Sequence, residues 1–321
     1  MENTFDINIL RQITQQKLIQ YDLIPSHSNI TLTPNYPIIL NGKEYSHYIV
    51  TCSNFNKKFF LKVSKEDDKT LHCNKYLRNF INTSGEFIFP IILIPPFEVN
   101  NIKYFVTTFT EGEDLNALSK ILSKREWDIA SDILLEQLNL LSNIHENLYS
   151  ENNKFLKIGC AEILKEKFVK RFQHSVFQNF SQQKLDRAYS RCCEILDNSS
   201  FSEPTLIHMD IKPANIIYNQ QTKSLNLIDF EHARFGDADF GWTQILLTKC
   251  NAFIDEYKNF MWPNLIKGRT TLDEALSIPK FRTYIFYQTA CNLIYYHDRK
   301  IECPKNMANI FTDLLEQLSK E

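Results

Sequence analysis

Apolar positions change their period along the chain, and the change divides it in two. Over the first 25 residues Ile9, Ile13, Leu18 and Ile19 recur near helical spacing, and Pro25 closes the segment. Between residues 30 and 63 the pattern becomes strand-like: a short run at 31–33, then β-branched and aromatic runs at 47–53 and 58–63. Pro34, Pro37, Asn41 and Gly42 are expected in the loop between the first two. Residues 67–82 fit a short helix with Leu71, Tyr76, Leu77 and Phe80 on one side. Two more strands are expected at 87–94 and 104–109, separated by Pro95, Pro96 and Asn100-Asn101. Strands in this density with one helix predict a small, mostly antiparallel sheet with a helix packed on it.

From residue 113 the pattern turns helical. Residues 125–146 carry an apolar stripe of Trp127, Ile129, Ile133, Leu134, Leu138, Leu141 and Ile144, and 160–196 holds one or two further helices. Short apolar runs at 205–207, 216–218 and 225–228 read as strand pieces flanking loops. Helices are expected again at 242–260, 270–276, 280–297 and 306–319. The expected fold is α+β and bilobed: a β-rich lobe over 1–109 and a larger helical lobe over 110–321, joined near Thr110–Gly112.

Composition narrows the function classes. Only 7 of 321 residues are glycine, against a usual ~7 %, which disfavours a double-glycine dinucleotide fingerprint, propeller blades and collagen. Net charge is −2, with +2 in residues 1–109 and −4 in the remainder. A nucleic-acid binder would show a clustered basic face, so no nucleic-acid partner is expected. The eight cysteines include no C-x-x-C pair, so zinc-ribbon and thioredoxin readings lack support. The start, MENTFDINIL, has no basic and apolar leader pattern, and no apolar run is long enough for a membrane span. Reduced thiols and a cytoplasmic location are therefore expected.

The informative stretch is Leu206-Ile-His208-Met-Asp210-Ile-Lys212-Pro-Ala-Asn215-Ile-Ile, followed by Leu227-Ile-Asp229-Phe-Glu231. In each half an apolar strand runs into polar groups. Two carboxylates and an amide, without a histidine pair or a thiol, suit a hard cation with oxygen ligands. Mg²⁺ typically takes one or two protein carboxylates together with phosphate oxygens.

His208-x-Asp210-x-x-x-x-Asn215 followed by Asp229-Phe230-Glu231 resembles the catalytic and metal loops of the kinase superfamily. The Asp-Phe-Glu ending is similar to the aminoglycoside phosphotransferase and choline-kinase branch, where protein kinases have Asp-Phe-Gly. His145 after Leu141 resembles the Leu-x-x-x-His helix end of that branch, and Gly236-Asp237-Ala238-Asp239 resembles its Gly-Asp-Pro-x-x-Asp segment, shortened. The resemblance implies a protein-kinase-like fold with an antiparallel N-terminal lobe. It implies that Asp210 orients or accepts the proton of a substrate hydroxyl, and that Asn215 and Asp229 hold Mg²⁺ against the phosphates of ATP or GTP. It also implies that Lys62 pairs with the α/β-phosphates. A lone charge in the apolar strand 59–63 costs energy unless it meets an anion. Ser46 is the expected phosphate contact in place of a glycine-rich loop. The linker carrying Thr110 and Gly112 is expected to bind adenine through backbone groups, and Lys212 to reach the γ-phosphate or the acceptor.

His208 is expected to bond loop backbone, Asp239 to brace the catalytic loop, and the Cys192–Cys193 pair to be two helix positions without redox meaning. Members of the family carry a glutamate on the helix after the lysine strand. Here that neighbourhood reads Leu71-His72-Cys73-Asn74, while Glu66, Asp67 and Asp68 come early, so the partner of Lys62 is left unassigned. The expected activity is transfer of the γ-phosphate to a small-molecule hydroxyl, with a cationic acceptor such as an aminoglycoside or choline compatible with the acidic second lobe. The alternatives are a protein kinase and a non-catalytic nucleotide-binding module. A monomer or weak dimer is expected.

Overall fold

The computed structural model describes residues 6–40, 43–64, 70–81, 87–118, 121–145, 157–158, 161–201, 203–250 and 272–321. Asn41, Gly42, Glu66, Asp67 and Asp68, and the expected helical residues 251–260 and 270–271, lie outside them. The chain forms two compact units. The first comprises residues 1–112 and 226–232, and the second 113–225 and 233–321. The fold is α+β.

The first unit is built on a five-stranded antiparallel sheet in the order β1-β2-β3-β5-β4. Its strands are β1 (Ile30–Leu40), β2 (Lys43–Cys52), β3 (Phe55–Val63), β4 (Ile92–Val99) and β5 (Ile102–Thr108). Four prolines expected in loops lie inside strands: Pro34 and Pro37 in β1, Pro95 and Pro96 in β4. Both are edge strands, where a missing N–H breaks no ladder, and the pairing register shifts at both proline pairs. Asn100 and Asn101, with φ of 52° and 63°, make the tight turn between β4 and β5.

Helix α1 (Ile7–Gln20) stops ahead of Pro25. It buries Leu10, Thr14 and Leu18, while Ile9 stays exposed. Leu10 and Leu18 join Val50, Phe59, Leu61, Val63, Tyr104 and Val106 in one core cluster, so α1 covers one sheet face. Helix α2 (Thr70–Leu77) likewise turns a different face inward than its hydrophobic spacing suggested: Cys73 and Leu77 are buried and Leu71 is exposed. Segment 226–232 is tied to this unit by Phe230, whose ring meets Phe89 edge-on at 5.6 Å.

The second unit is mainly helical: α3 (Leu115–Leu118), α4 (Lys124–Ser142), α5 (Ala161–Phe172), α6 (Gln182–Asp197), α7 (Ala238–Cys250), α8 (Leu272–Ser277), α9 (Pro279–Arg299) and α10 (Lys305–Leu318). Ser123 and Glu126 form a reciprocal capping box that starts α4. The run Thr283–Ala290 of α9 is buried on all sides, as in the helix at the centre of a bundle. Phe286 stacks on Phe311 with centroids 5.0 Å apart, and Phe168 meets Tyr287 edge-on at 5.1 Å.

Two small sheets carry the loops of interest. In one, β11 (Arg234–Gly236) lies between β7 (Lys157–Ile158) and β8 (Thr205–Ile207). The other has the order β10-β9-β6, from β6 (Glu113–Asp114), β9 (Ile216–Asn219) and β10 (Ser224–Leu227).

Candidate active site

Strand β3 alternates. Phe59, Leu61 and Val63 face the core, which puts Lys62 on the opposite face. Lys62 is nevertheless only 8 % exposed. A buried ammonium needs an anion, and Lys62 Nζ donates to Asp229 Oδ1 at 2.7 Å, with Glu231 Oε2 at 3.8 Å. Lys62 pairs in register with Phe105 across the sheet, and Nζ lies 5.9 Å from that ring's centre. The partner that the sequence of α2 does not provide therefore comes from segment 226–232. Asp229 sits at φ 66°, in the left-handed region, which is uncommon for a non-glycine residue. Glu231 is buried, and its other oxygen lies 3.2 Å from His232 Nε2.

The second cluster forms in the loop after β8. β8 is held by β11, by the Leu206 N–H donating to the Ile144 carbonyl at 3.0 Å, and by a bridge from Thr205 to His145. His145 thus lies beyond the end of α4 rather than in its last turn, and is half exposed. His208 is 1 % exposed, and its Nδ1 accepts the Asp210 N–H at 3.2 Å. Accepting there keeps the ring neutral with its proton on Nε2. Met209, between them, has φ 67°, and its carbonyl accepts a short bond from Gln244 Nε2 of α7. The Asp210 carboxylate accepts from Lys212 Nζ at 2.7 Å and from Asn215 Nδ2 at 2.8 Å. Asn215 Nδ2 also donates to the Asp210 carbonyl at 2.8 Å.

The brace expected from Asp239 is provided by Gln244. Asp239 instead pairs with Lys280 Nζ at 3.0 Å. Asp237 is the buried residue of that segment. It accepts the Asp239 N–H at the start of α7, the Tyr284 hydroxyl at 2.9 Å, and a short ion pair from Lys280. Burial opposes the Lys280 charge, but the bonds to Asp237 and Asp239 outweigh it and raise its pKa. Gln244 carries no motif signal. Only the packing of α7 reveals it. Gly241 marks that packing, since a Cβ there would stand 2.6 Å from Ile207 Cγ2.

The remaining expected residues take these positions. Ser46 lies within β2 opposite Pro37, rather than at the strand's start, and is hydrogen bonded to Tyr48. Burial raises the Tyr48 phenol and that bond partly offsets it. Thr110 and Gly112 follow β5, and Gly112 has φ 131°, a conformation that favours glycine. Cys192 is buried, with its thiol pushed up to about 12 by burial.

Asn215 directs its Nδ2 at Asp210, so the atom it can offer a ligand is its amide oxygen, and Asp229 carries a carboxylate; oxygen donors of this kind suit a hard cation.

Comparison with known proteins follows this chemistry. Residues 76–257 match the family model described as the phosphotransferase enzyme family. This is more than half of the chain, and it includes Asp210, Asn215 and Asp229 while beginning after Lys62. The chain belongs to that family, and the resemblance drawn from the two loops is borne out. Among solved structures, a thermostable mutant of aminoglycoside phosphotransferase APH(4)-Ia aligns at 13 % identity and TM-score 0.60, over 95 % of this chain and 98 % of that one. The streptomycin–ATP ternary complex of APH(2'')-IIa aligns at 14 % and 0.61, over 99 % and 98 %. ADP-bound APH(2'')-Ib aligns at 14 % and 0.59, over 98 % and 99 %. At these identities the likeness is one of fold. A search of curated proteins finds no significant match. Among the described residues no helix is long and apolar enough to cross a membrane.

Proposed function

We propose that this chain transfers the γ-phosphate of a nucleoside triphosphate, ATP or GTP, to a hydroxyl of a small molecule. The observation that carries the reading is the Lys62–Asp229 pair: a buried strand lysine held at 2.7 Å by the aspartate of the Asp-Phe-Glu segment, 167 residues away. That arrangement keeps an ammonium desolvated and ready for an anionic ligand. In the proposed mechanism Lys62 binds the α/β-phosphates, with Ser46 contributing at the phosphates and the backbone around Thr110 and Gly112 receiving the base. Asp210 takes or orients the acceptor's proton. His208 fixes the Asp210 backbone, and Asn215 and Lys212 fix its carboxylate, so the base does not reorganise during transfer. In this reading Lys212 also meets the γ-phosphate. Asn215 and Asp229 would hold Mg²⁺, which when bound neutralises charge on the β- and γ-phosphate oxygens. The proposed acceptor is a small cationic molecule of the aminoglycoside or amino-alcohol type. The proposed setting is the cytoplasm, with the protein a monomer or weak dimer.

The test is release of nucleoside diphosphate from Mg²⁺-ATP or Mg²⁺-GTP with a panel of aminoglycosides, choline, amino alcohols and generic protein substrates. Turnover with a small hydroxyl acceptor, lost in Asp210→Ala, supports the reading. Tight nucleotide binding with no turnover on any acceptor would replace it with a binding module, the reading that the acid-free helix α2 favours.

A further inference from the structure

We propose that His174, His297 and Asp298 form a binding site for a borderline transition-metal dication, Zn²⁺ in the first instance, that clips the turn after α5 to the end of α9. The three come from distant parts of the second unit. His174 caps the short 3₁₀ turn Ser175–Asn179, while His297 and Asp298 occupy the last turn of α9. Each offers one ligand atom, and these atoms all lie within 4.8 Å of one another. His174 Nε2 stands 3.0 Å from Asp298 Oδ1, and His297 Nδ1 stands 3.4 Å from the same oxygen.

Those spacings are informative. Zinc bonds to nitrogen and oxygen of about 2.0–2.2 Å in tetrahedral geometry put neighbouring ligand atoms about 3.3 Å apart. The two edges to Asp298 bracket that value and the edge between the imidazoles lies within 4.8 Å, so side-chain adjustments bring the three atoms around a metal. Two imidazoles and one carboxylate favour zinc, nickel or copper over magnesium or calcium. The site also lies at the C-terminus of a helix of 21 residues, where the aligned peptide dipoles favour a cation. All three side chains are at least partly open to water, with His174 26 %, His297 47 % and Asp298 56 % exposed, so water can complete the coordination.

One adjustment is required. His174 Nδ1 accepts the Val176 N–H at 3.3 Å. Binding a metal through Nε2 shifts the ring's single proton to Nδ1, so the ring stays neutral, no proton is lost, and this long cap bond is given up. Of the three ligands His174 also lines a cavity of about 380 Å³, together with Phe172, Phe177, Tyr189 and Asp186.

The test uses the full chain and needs no phosphotransfer, so it stands apart from the activity proposed above. Metal-free protein is loaded with Zn²⁺, desalted and assayed for bound metal. His297→Ala and Asp298→Asn are compared with wild type. Both changes lie at an exposed helix end, and circular dichroism verifies that the variants fold. Wild type should retain one equivalent more than either variant, and Zn²⁺ should raise its melting temperature while leaving theirs unchanged. Co²⁺ in place of Zn²⁺ should give wild type a visible tetrahedral spectrum without thiolate charge-transfer bands, which separates this site from the cysteines. Equal zinc retention and equal Co²⁺ spectra in wild type and both variants would overturn the proposal.

Discussion

Gly241 is the position where a single methyl group should disturb the loop that carries Asp210 without touching it. In α7 the chain passes so close to β8 that a Cβ at residue 241 would lie 2.6 Å from Ile207 Cγ2, and 3.8 Å from Ile207 Cβ and Cγ1. Ile207 is 7 % exposed, and its β-branched Cγ2 sits on a stiff χ1, so the relief available is a small shift into the cavity of about 30 Å³ that Ile207 and Gly241 line. Overpacking of this kind costs about 1–3 kcal/mol. Removing a glycine from a helix returns roughly 0.5–1 kcal/mol. Gly241→Ala should therefore lower stability by up to about 2.5 kcal/mol, a loss of a few degrees in Tm for a chain of this size. In an Ile207→Ala background the clashing methyl is gone. That change alone costs about 2–5 kcal/mol, but Gly241→Ala on top of it should now stabilise. The assay is a double-mutant cycle by urea unfolding, with an expected coupling of about 1–3 kcal/mol. Because Ile207 immediately precedes His208, Gly241→Ala should also reduce kcat while leaving nucleotide affinity near wild type. Equal effects of Gly241→Ala in both backgrounds would refute the packing argument.

Four further outcomes are expected. Asp210→Ala should cut kcat by several orders of magnitude with nucleotide Kd nearly unchanged, whereas Asp229→Ala should weaken Mg²⁺-nucleotide binding; steady-state kinetics and calorimetry separate the two. Lys280→Met removes the ammonium that Lys280 brings to buried Asp237, and should destabilise by about 3–5 kcal/mol in chemical denaturation, with Lys280→Arg keeping most of the wild-type stability. The Cys192 thiol, with a pKa of about 12, should resist iodoacetamide at pH 8 in the folded protein and react in denaturant, read by mass spectrometry. Glu126 is held at about 2 by the Ser123 hydroxyl and N–H, below an unfolded value of about 4.3. Its stabilising effect is therefore complete above about pH 4.3 and fades as pH falls toward 2, so the stability gap between wild type and Glu126→Gln should close across that window. A gap that does not change with pH would contradict this.

Much of the site was legible in the sequence because its chemistry is local. His208, Asp210 and Asn215 lie within eight residues, and such a loop can satisfy its own bonds: His208 to the Asp210 N–H, Asn215 to the Asp210 carboxylate. The shortage of glycine also keeps its meaning, since the few glycines include Gly112 at a left-handed φ and Gly241 at a close approach. Strand limits were less legible. Prolines 34, 37, 95 and 96 read as loop residues, because a proline costs a ladder bond in a central strand and nothing on the outer side of an edge strand.

The sequence by itself determined the α+β order of elements, the two acidic loops and the family they resemble. All of these rest on short-range pattern and spacing. The tertiary structure alone decided which strands are edges, and which side of α1 and α2 faces inward. It also decided that Lys62 is held by Asp229 and Glu231, and that Gln244 rather than Asp239 steadies the Met209 carbonyl. Those facts depend on contacts between residues tens to hundreds of positions apart. Burial, in particular, forces each desolvated charge to take whichever counter-charge the fold delivers.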